Sequence, residues 1–329
     1  MERRTLGRTG LDLGVLGLGG HFLSTLHGTK IEDSRRTVRR ALELGMNCID
    51  TAPSYGDSEH VLGVALEGVE LPCIVSTKLG GRPSPFDAKD KDGLRRSVEE
   101  SLRLLKRDTI DILMIHEPDR VGAYDWWTDR NAYEGPVNDL LDELKEEGVI
   151  RFTGLGGITA YELANIVGTG RYDVVITGLN YSLLWREATI SLIPAAKRHN
   201  VGLIIGAPAQ GGALARRYDD AIKHGVRWMS PPRRAQFQAL YRLLDEIDIP
   251  LPELSLRFAL SNPDVSLILT GATSVEEVEQ NVRAIDAGPL PADLLSQVDE
   301  IADMVPFRPT DEPMVLPMEA EHIDLGPLR

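Results

Sequence analysis

The sequence is poor in features that would assign it to a specialised class of protein. It has only 2 cysteines in 329 residues, Cys48 and Cys73, and both lie inside short apolar runs. We expect them to be small buried hydrophobic side chains rather than a disulfide or a metal pair. No apolar stretch is long enough to span a membrane, and the arginine-containing N-terminus lacks the apolar core of a signal peptide. These absences predict a cytoplasmic protein that does not bind membranes.

Positive charge is also scarce. The chain has 36 lysines and arginines against 50 aspartates and glutamates, a net charge of −14. This balance argues against a general basic surface for nucleic acid. A small molecule is therefore the expected partner. The sequence lacks the paired histidines of a barrel metallohydrolase, so no metal site is predicted. It also indicates no particular oligomeric state.

Short β-like runs alternate with helical patterns along most of the chain. A hairpin over residues 4–14 precedes eight apolar runs, which begin near residues 15, 46, 73, 110, 150, 172, 201 and 265. Such alternation predicts a parallel sheet covered by helices, and eight units in about 250 residues fit a TIM, or (β/α)8, barrel. We predict a single barrel domain over residues 1–329, with a long loop at 117–136 and a tail from about residue 304.

A doubly wound sheet is the alternative fold. Its dinucleotide fingerprint should follow the first strand as three glycines at fixed spacing. The chain has Gly17 and Gly19 there, but Phe22 occupies the third position. The incomplete fingerprint favours the barrel.

Three of the apolar runs end on an ionisable residue. Asp50 ends the second run, Lys78 the third and His116 the fourth, and Tyr55 lies in the turn after Asp50. The C-terminal ends of barrel strands meet at the face where barrel enzymes react, so the four side chains should lie close together. Each alone has an ordinary explanation, as a helix cap, a strand-end lysine, a rim histidine or a loop aromatic. Only a shared chemical role explains all four.

Together these side chains suit proton transfer at a carbonyl or hydroxyl group. A tyrosine is a useful acid near neutral pH only if its pKa falls well below ~10. A neighbouring ammonium such as that of Lys78 would lower it, and Asp50 would keep that ammonium charged. An imidazole beside the phenol could orient a carbonyl oxygen. With no nucleophile–base pair for acyl transfer, the set indicates proton transfer accompanying hydride transfer.

The same residues carry a resemblance to a known family. The segments GMNCIDTAPSYGDSEHVLGVAL, STK, IDILMIH, EEGVIRFTGLGG, LNYSLL and GATSVEEVEQN resemble those of the aldo-keto reductases. The resemblance implies a TIM barrel, an extended NAD or NADP cofactor and hydride transfer to or from a carbonyl. It also implies that Tyr55 is the general acid/base, that Lys78 and Asp50 tune it, and that His116 orients the substrate.

The resemblance further implies a set of cofactor-binding positions. These are Gly20, His21, Asp50, Gly156, Gly157, Gly178, Ala207, Pro208, Ala209, Gln210, Gly211, Gly271, Ala272, Thr273, Glu277, Gln280 and Asn281. Several depart from the pattern of the family. Many members have Ser-Asn at positions 156–157, Gln at 178 and an aromatic residue at 206, and this chain has glycine at all four.

Two departures bear on the choice of cofactor. Gly271 and Glu277 stand where many NADPH-dependent members have Lys and Arg. A 2′-phosphate needs cationic donors, whereas Glu277 would repel it and could accept a hydrogen bond from a ribose hydroxyl. We expect NAD to be favoured over NADP, although Arg283 could compensate.

The glycines at 156–157 and the segment SLILTGATSVEEVEQNV resemble most the L-galactose and L-fucose (aldose) dehydrogenases. That branch oxidises the anomeric hydroxyl of a sugar to a lactone, and this is the predicted function. An NADPH-dependent aldehyde or ketone reductase is the alternative enzyme, and a cofactor-binding regulatory subunit is the alternative from another class.

Residues at the mouth of the barrel are expected to contact the carbonyl or sugar substrate. They are His21, Tyr55, His116, Trp126 and Trp127. The tryptophan pair lies in the long loop, where aromatic side chains often form lids. It could instead pack against the barrel rim.

Overall fold

The computed structural model describes residues 1–120 and 122–319. Its strands are β1 (Arg3–Thr5), β2 (Asp12–Gly14), β3 (Leu16–Gly19), β4 (Cys48–Asp50), β5 (Ile74–Leu79), β6 (Ile110–His116), β7 (Ile150–Gly157), β8 (Val174–Gly178), β9 (Gly202–Gly206) and β10 (Leu267–Gly271). The antiparallel pair β1–β2 is the predicted hairpin. The other eight strands form a closed parallel barrel in the order β10-β3-β4-β5-β6-β7-β8-β9. The TIM barrel prediction is confirmed.

Helices cover the outside of this barrel. They are α1 (Ile31–Glu43), α2 (Ser58–Ala65), α3 (Lys91–Leu105), α4 (Pro136–Glu146), α5 (Ala160–Val167), α6 (Leu192–Arg198), α7 (Asp219–His224), α8 (Pro231–Glu246), α9 (Leu251–Leu260), α10 (Val275–Asp286) and α11 (Ala292–Asp303). Helix α3 shows why they pack there. It buries Leu94, Val98 and Leu105 on one side, a spacing that forms a single apolar stripe along a helix.

The opening hairpin closes one end of the barrel. Leu6, Leu11 and Leu13 join the apolar cluster that fills the barrel interior. The guanidinium of Arg4 donates hydrogen bonds to the carbonyls of Leu260, Asn262 and Val265 at 2.7–2.9 Å. Carbonyl groups at this end are thereby satisfied and covered. The C-terminal ends of the strands remain at the opposite face, where the candidate site lies.

The C-terminal part of the chain contains one element that sequence patterns did not predict. Residues 292–303 form α11, which packs on α8, and the side-chain amide of Gln236 donates to the carbonyls of Ile301 and Ala302 at 2.9 Å each. From 304 to 319 the chain has neither helix nor strand, as predicted for the tail. The buried carboxylate of Glu312 accepts hydrogen bonds from Arg233 and Trp185 and fastens the tail. Residues 320–329 of the predicted tail lie outside the described residues.

Two simple expectations can be compared with the structure. Cys48 is buried in the barrel interior, Cys73 is half-buried, and neither forms a disulfide. Across residues 1–120 and 122–319, no helix is long and apolar enough to cross a membrane.

Candidate active site

The four ionisable residues predicted to act together lie on neighbouring elements. Asp50, Lys78 and His116 stand at the C-terminal ends of β4, β5 and β6, which pair in that order. Tyr55 lies in the turn between β4 and α2. The parallel pairing carries the ends of the three strands to the same face, so residues far apart in sequence meet there.

Lys78 and Asp50 form a buried ion pair. The ammonium nitrogen of Lys78 lies 2.6 Å from Asp50 Oδ2, and the two side chains are only 3% and 7% exposed. Lys78 also donates to the carbonyl of Thr51 at 2.8 Å, and the Ser76 hydroxyl donates to Asp50 Oδ1 at 2.5 Å. Buried charges need such a complete set of partners. Sequence reasoning missed Ser76, although it precedes Lys78 by two residues and therefore shares its strand face.

Tyr55 sits against this pair. The Lys78 ammonium lies 4.8 Å from the centroid of the phenol ring. Burial raises the pKa of Tyr55, and the neighbouring Lys78 opposes the shift without reversing it. The lysine thus acts in the predicted direction, but burial outweighs it, so the pKa of Tyr55 lies above its usual value and not below it as expected. The reason is that burial penalises the phenolate more than one ammonium stabilises it, so the raised pKa keeps the Tyr55 phenol protonated near neutral pH.

Two imidazole rings flank the phenol. The ring of His116 lies 5.8 Å from that of Tyr55 and the ring of His21 lies 5.1 Å from it, both edge-on. Burial, with the charges of Lys78 and Arg120, lowers the pKa of His116 to about 3. Burial, His27 and Lys78 also lower the pKa of His21. A neutral His116 can donate or accept a hydrogen bond at an oxygen beside Tyr55 without adding charge.

We expect His116→Asn to make the folded state less sensitive to acid. An unfolded histidine has a pKa near 6.5, whereas burial lowers the pKa of folded His116 to about 3. Between these values the unfolded chain binds a proton that the folded chain does not. Stability is therefore lost as the pH falls below about 6.5, by up to about 1.4 kcal/mol per pH unit. Urea denaturation between about pH 7 and pH 5 measures this slope, and the variant should show a shallower one.

The control for this experiment is His60→Asn, at an exposed position of α2. It should leave the slope unchanged, because substitutions at exposed positions away from special features usually change stability little. Equal slopes for the His116→Asn protein and the unchanged protein would contradict the argument.

The rest of the barrel mouth has a different character. Five neighbouring strands, β7, β8, β9, β10 and β3, each end on a glycine, namely Gly157, Gly178, Gly206, Gly271 and Gly19. We call this row of strand ends the glycine arc. Glycine at a strand end lets a ligand approach the backbone closely. The ionisable side chains therefore lie at the ends of β4–β6, whereas the strand ends of the glycine arc carry no side chains of their own.

The residues predicted to bind cofactor mostly border the glycine arc. Gly20 follows β3, Gly156 and Gly157 end β7, Ala207–Gly211 follow β9, Gly271–Thr273 connect β10 to α10, and Glu277, Gln280 and Asn281 lie in the first two turns of α10.

Two of these residues are less open to a cofactor than the sequence predicted. The Gln210 side chain is fully buried, where it accepts a hydrogen bond from Ser182 and donates one to the carbonyl of Leu179. It ties two loops together, so only its backbone is available to a ligand. The ring of Phe22 lies over Gly271, with Cδ2 2.6 Å from the position of a hypothetical Cβ.

The tryptophan pair has a packing role. Trp126 and Trp127 are 1% and 5% exposed, and their indole N–H groups donate to the carbonyls of His116 and Pro118 at 3.0 and 3.2 Å. The ring of Phe86 packs edge-on against Trp126. The loop folds back on itself because this removes large aromatic surfaces from water. The predicted substrate contact by Trp126 and Trp127 is corrected accordingly.

Comparisons with known proteins agree with this geometry. A model of the Aldo/keto reductase family matches residues 14–303. L-galactose dehydrogenase of Arabidopsis thaliana is 32% identical over 93% of this chain and 95% of its own length. D-threo-aldose 1-dehydrogenase of a Pseudomonas species is 26% identical over 90% of this chain and 96% of its own. The holo form of aldo-keto reductase AKR11C1 from Bacillus halodurans has a TM-score of 0.74 at 26% identity and covers 95% of this chain and 100% of that one.

The family match extends over nearly the whole barrel, and the similar solved structure has the same fold. Neither comparison fixes the substrate or the choice between NAD and NADP. This chain therefore belongs to the aldo/keto reductase family and is an oxidoreductase that uses a nicotinamide cofactor.

Proposed function

We propose that this chain is an NAD-dependent aldose 1-dehydrogenase that acts in the cytoplasm and oxidises a sugar at C1 to a lactone. The observation that carries the proposal is the position of Tyr55 between the buried Lys78–Asp50 pair and the neutral His116, at one end of the glycine arc. The 32% identity to an L-galactose dehydrogenase supports the choice of sugar.

The glycine arc and the N-terminus of α10 would hold the cofactor. The strand ends of the arc carry no side chains of their own, and the exposed Glu277 and Gln280 lie in the first turns of α10. This arrangement fits an extended dinucleotide whose ring end lies near Lys78. When bound there, the nicotinamide would supply the hydride chemistry, as acceptor in oxidation and as donor in reduction.

Tyr55 is the general acid/base in this proposal. In the oxidation direction the phenolate oxygen takes the proton of the anomeric hydroxyl, and Lys78 stabilises the phenolate. His116 would hold the same substrate oxygen by a hydrogen bond. Burial raises the pKa of Tyr55, so the phenolate is scarce near neutral pH and becomes more populated as the pH rises. Oxidation should therefore be faster in alkaline buffer.

A substrate panel tests the proposal. We expect L-galactose or L-fucose to reduce NAD⁺, with a rate that rises toward alkaline pH and with a lactone as the product. Simple aldehydes with NADPH at neutral pH serve as the comparison. Efficient aldehyde reduction without oxidation of any aldose would overturn the sugar assignment and favour the reductase alternative.

The preference for NAD rests on Glu277. Its carboxylate oxygen Oε2 accepts hydrogen bonds from the Thr273 backbone N–H and hydroxyl at 2.7 and 3.1 Å, while its own N–H donates to the Ser274 hydroxyl. This capping arrangement fixes a negative charge at the N-terminus of α10. A 2′-phosphate brought to this helix end would meet like charge.

We expect Glu277→Arg to raise the affinity for NADPH relative to NADH by about tenfold, because it replaces like-charge repulsion with an ion pair to the phosphate. Fluorescence titration with both nucleotides gives the ratio of dissociation constants. Glu276→Arg makes the same charge change at the adjacent exposed residue and is the matched control. An equal shift in both variants would mean that long-range charge, and not the position of Glu277, sets the preference.

A further inference from the structure

The tail over residues 304–319 is held to the barrel by buried charges. The carboxylate of Glu312 is 1% exposed and accepts hydrogen bonds from Arg233 Nε at 2.8 Å and Nη2 at 3.2 Å. The indole N–H of Trp185 donates to the same carboxylate, and Arg308 lies 3.4 Å from it. Arg233 belongs to α8 and Trp185 to the loop after β8, so one carboxylate joins the tail to two separate parts of the molecule.

A second side chain of the tail reaches the backbone beside the glycine arc. The side chain of Arg308 is 11% exposed, and its Nη2 donates to the carbonyl of Leu179 at 2.8 Å. Leu179 directly follows Gly178, the residue that ends β8 in the arc. The same carbonyl accepts a hydrogen bond from the side chain of Gln210, in the loop after β9, at 3.1 Å. One carbonyl therefore joins the tail to the loops after β8 and β9.

Both of these loops have backbone conformations that need support from neighbouring contacts. The φ angle is 63° at Leu179 and 52° at both Ala207 and Gln210. Residues other than glycine rarely adopt this left-handed region, and they keep it only where the surrounding structure holds them. Arg308 supplies one of the two donors described at the Leu179 carbonyl. Its loss would therefore loosen a loop that is strained and that is bonded to the next loop.

We propose that the tail is a strap, residues 304–319, whose closure over the loops after β8 and β9 gives the cofactor site its binding-competent shape. The inference rests on the proposed function, because Gly178 and residues 207–211 are positions at which the cofactor is proposed to bind. Arg308 is a positioning residue here, since it contacts the loop backbone and exchanges no proton or electron.

Closure of the strap and binding of the cofactor are then coupled in both directions. A chain whose competent form is only partly populated binds its ligand more weakly in proportion to that fraction. By reciprocity, bound cofactor holds the strap closed by the same factor. The coupling can therefore be measured from either side, as a dissociation constant or as the rate at which the strap opens.

Arg308→Met tests the coupling from the cofactor side in the full-length chain. Methionine keeps much of the apolar stem, but it removes the donor to Leu179 and the charge that lies 3.4 Å from both Glu187 and Glu312. We expect the dissociation constant for NADH, measured by fluorescence titration, to rise about tenfold.

Arg257→Met is the matched control. The Arg257 side chain is 12% exposed, pairs with Glu253 four residues away and donates to the carbonyls of Gly288 and Pro289 at 2.9 and 3.3 Å. It thus loses a similar set of contacts, but just beyond the C-terminal end of α10. We expect thermal denaturation to show lower stability in both variants. The dissociation constant of the control for NADH should stay within about twofold of the unchanged chain.

Proteolysis tests the coupling from the side of the strap and needs no variant. Phe307 is 62% exposed, and cleavage after it by chymotrypsin requires the neighbouring Arg308 and Glu312 to detach. Such cleavage follows the population of the open form. We expect saturating NADH to slow the release of the C-terminal fragment about tenfold, as measured by mass spectrometry. An unstructured peptide digested alongside controls for any effect of NADH on the protease.

The outcomes separate this inference from the proposed function. An unchanged dissociation constant in the Arg308→Met protein, or equal weakening by Arg308→Met and Arg257→Met, would make the tail a stabilising element only and overturn the inference. Cleavage after Phe307 that is insensitive to NADH, in a chain that binds NADH, would overturn it too, even if Arg308→Met failed to fold. Failure of the unchanged chain to bind NADH or NADPH at all would instead overturn the proposed function.

Discussion

Replacing Tyr55 by phenylalanine should lower kcat by about 10²–10⁴-fold, the range that positioned acid–base catalysis contributes. The variant keeps the ring that packs between His21 and His116 and removes only the hydroxyl. We therefore expect the dissociation constant for NADH and the free energy of unfolding to change little. Steady-state kinetics with the best substrate of the panel, alongside a cofactor titration, measures both effects.

The matched control is Tyr133→Phe. Tyr133 lies in the long loop, where its hydroxyl donates to Glu162 at 3.1 Å, so the variant also loses one hydroxyl. Its kcat should stay within about twofold of the unchanged protein, in the range of ordinary surface substitutions. Full activity in the Tyr55→Phe variant would remove Tyr55 from the mechanism. Absence of turnover in the unchanged protein would favour the regulatory-subunit alternative.

Replacing Lys78 by methionine should abolish activity and lower the free energy of unfolding by about 3–5 kcal/mol. Burial alone would lower the pKa of Lys78, but Asp50 and Tyr55 outweigh it and raise the pKa, so the ammonium stays charged. Methionine removes that charge and leaves the buried Asp50 carboxylate with no cation beside it. Urea denaturation followed by circular dichroism measures the loss.

The double variant Asp50→Asn/Lys78→Met is the control. It removes both charges, so much of the stability should return while activity stays absent, because no ammonium remains beside Tyr55. If the single and double variants were equally unstable, lost packing and not the unpaired carboxylate would be the cause. Recovered activity in the double variant would contradict the role of Lys78.

Local sequence patterns predicted the barrel strands closely. The run over 110–116 matches β6 residue for residue, because a strand buried on both faces needs a continuous apolar run whatever its neighbours are. Helix α11 was missed because it packs on α8 outside the repeating strand–helix units. The burial of Trp126 and Trp127 also needed the structure, since an aromatic pair in a loop is compatible with either a rim contact or a lid.

The same distinction holds for the candidate site, where some features follow from local sequence and others need the tertiary structure. The sequence by itself determined the positions of Asp50, Lys78 and His116, because each is the polar end of an apolar strand and parallel strands bring their ends to one face. Only the tertiary structure decided that burial outweighs Lys78 at Tyr55, since the pKa depends on how much water the fold removes. Only the tertiary structure placed the Asp119 carboxylate 2.0 Å from the position of a Cβ on Gly157, because that contact depends on a turn after β6 and on a neighbouring strand, and neither leaves a local pattern.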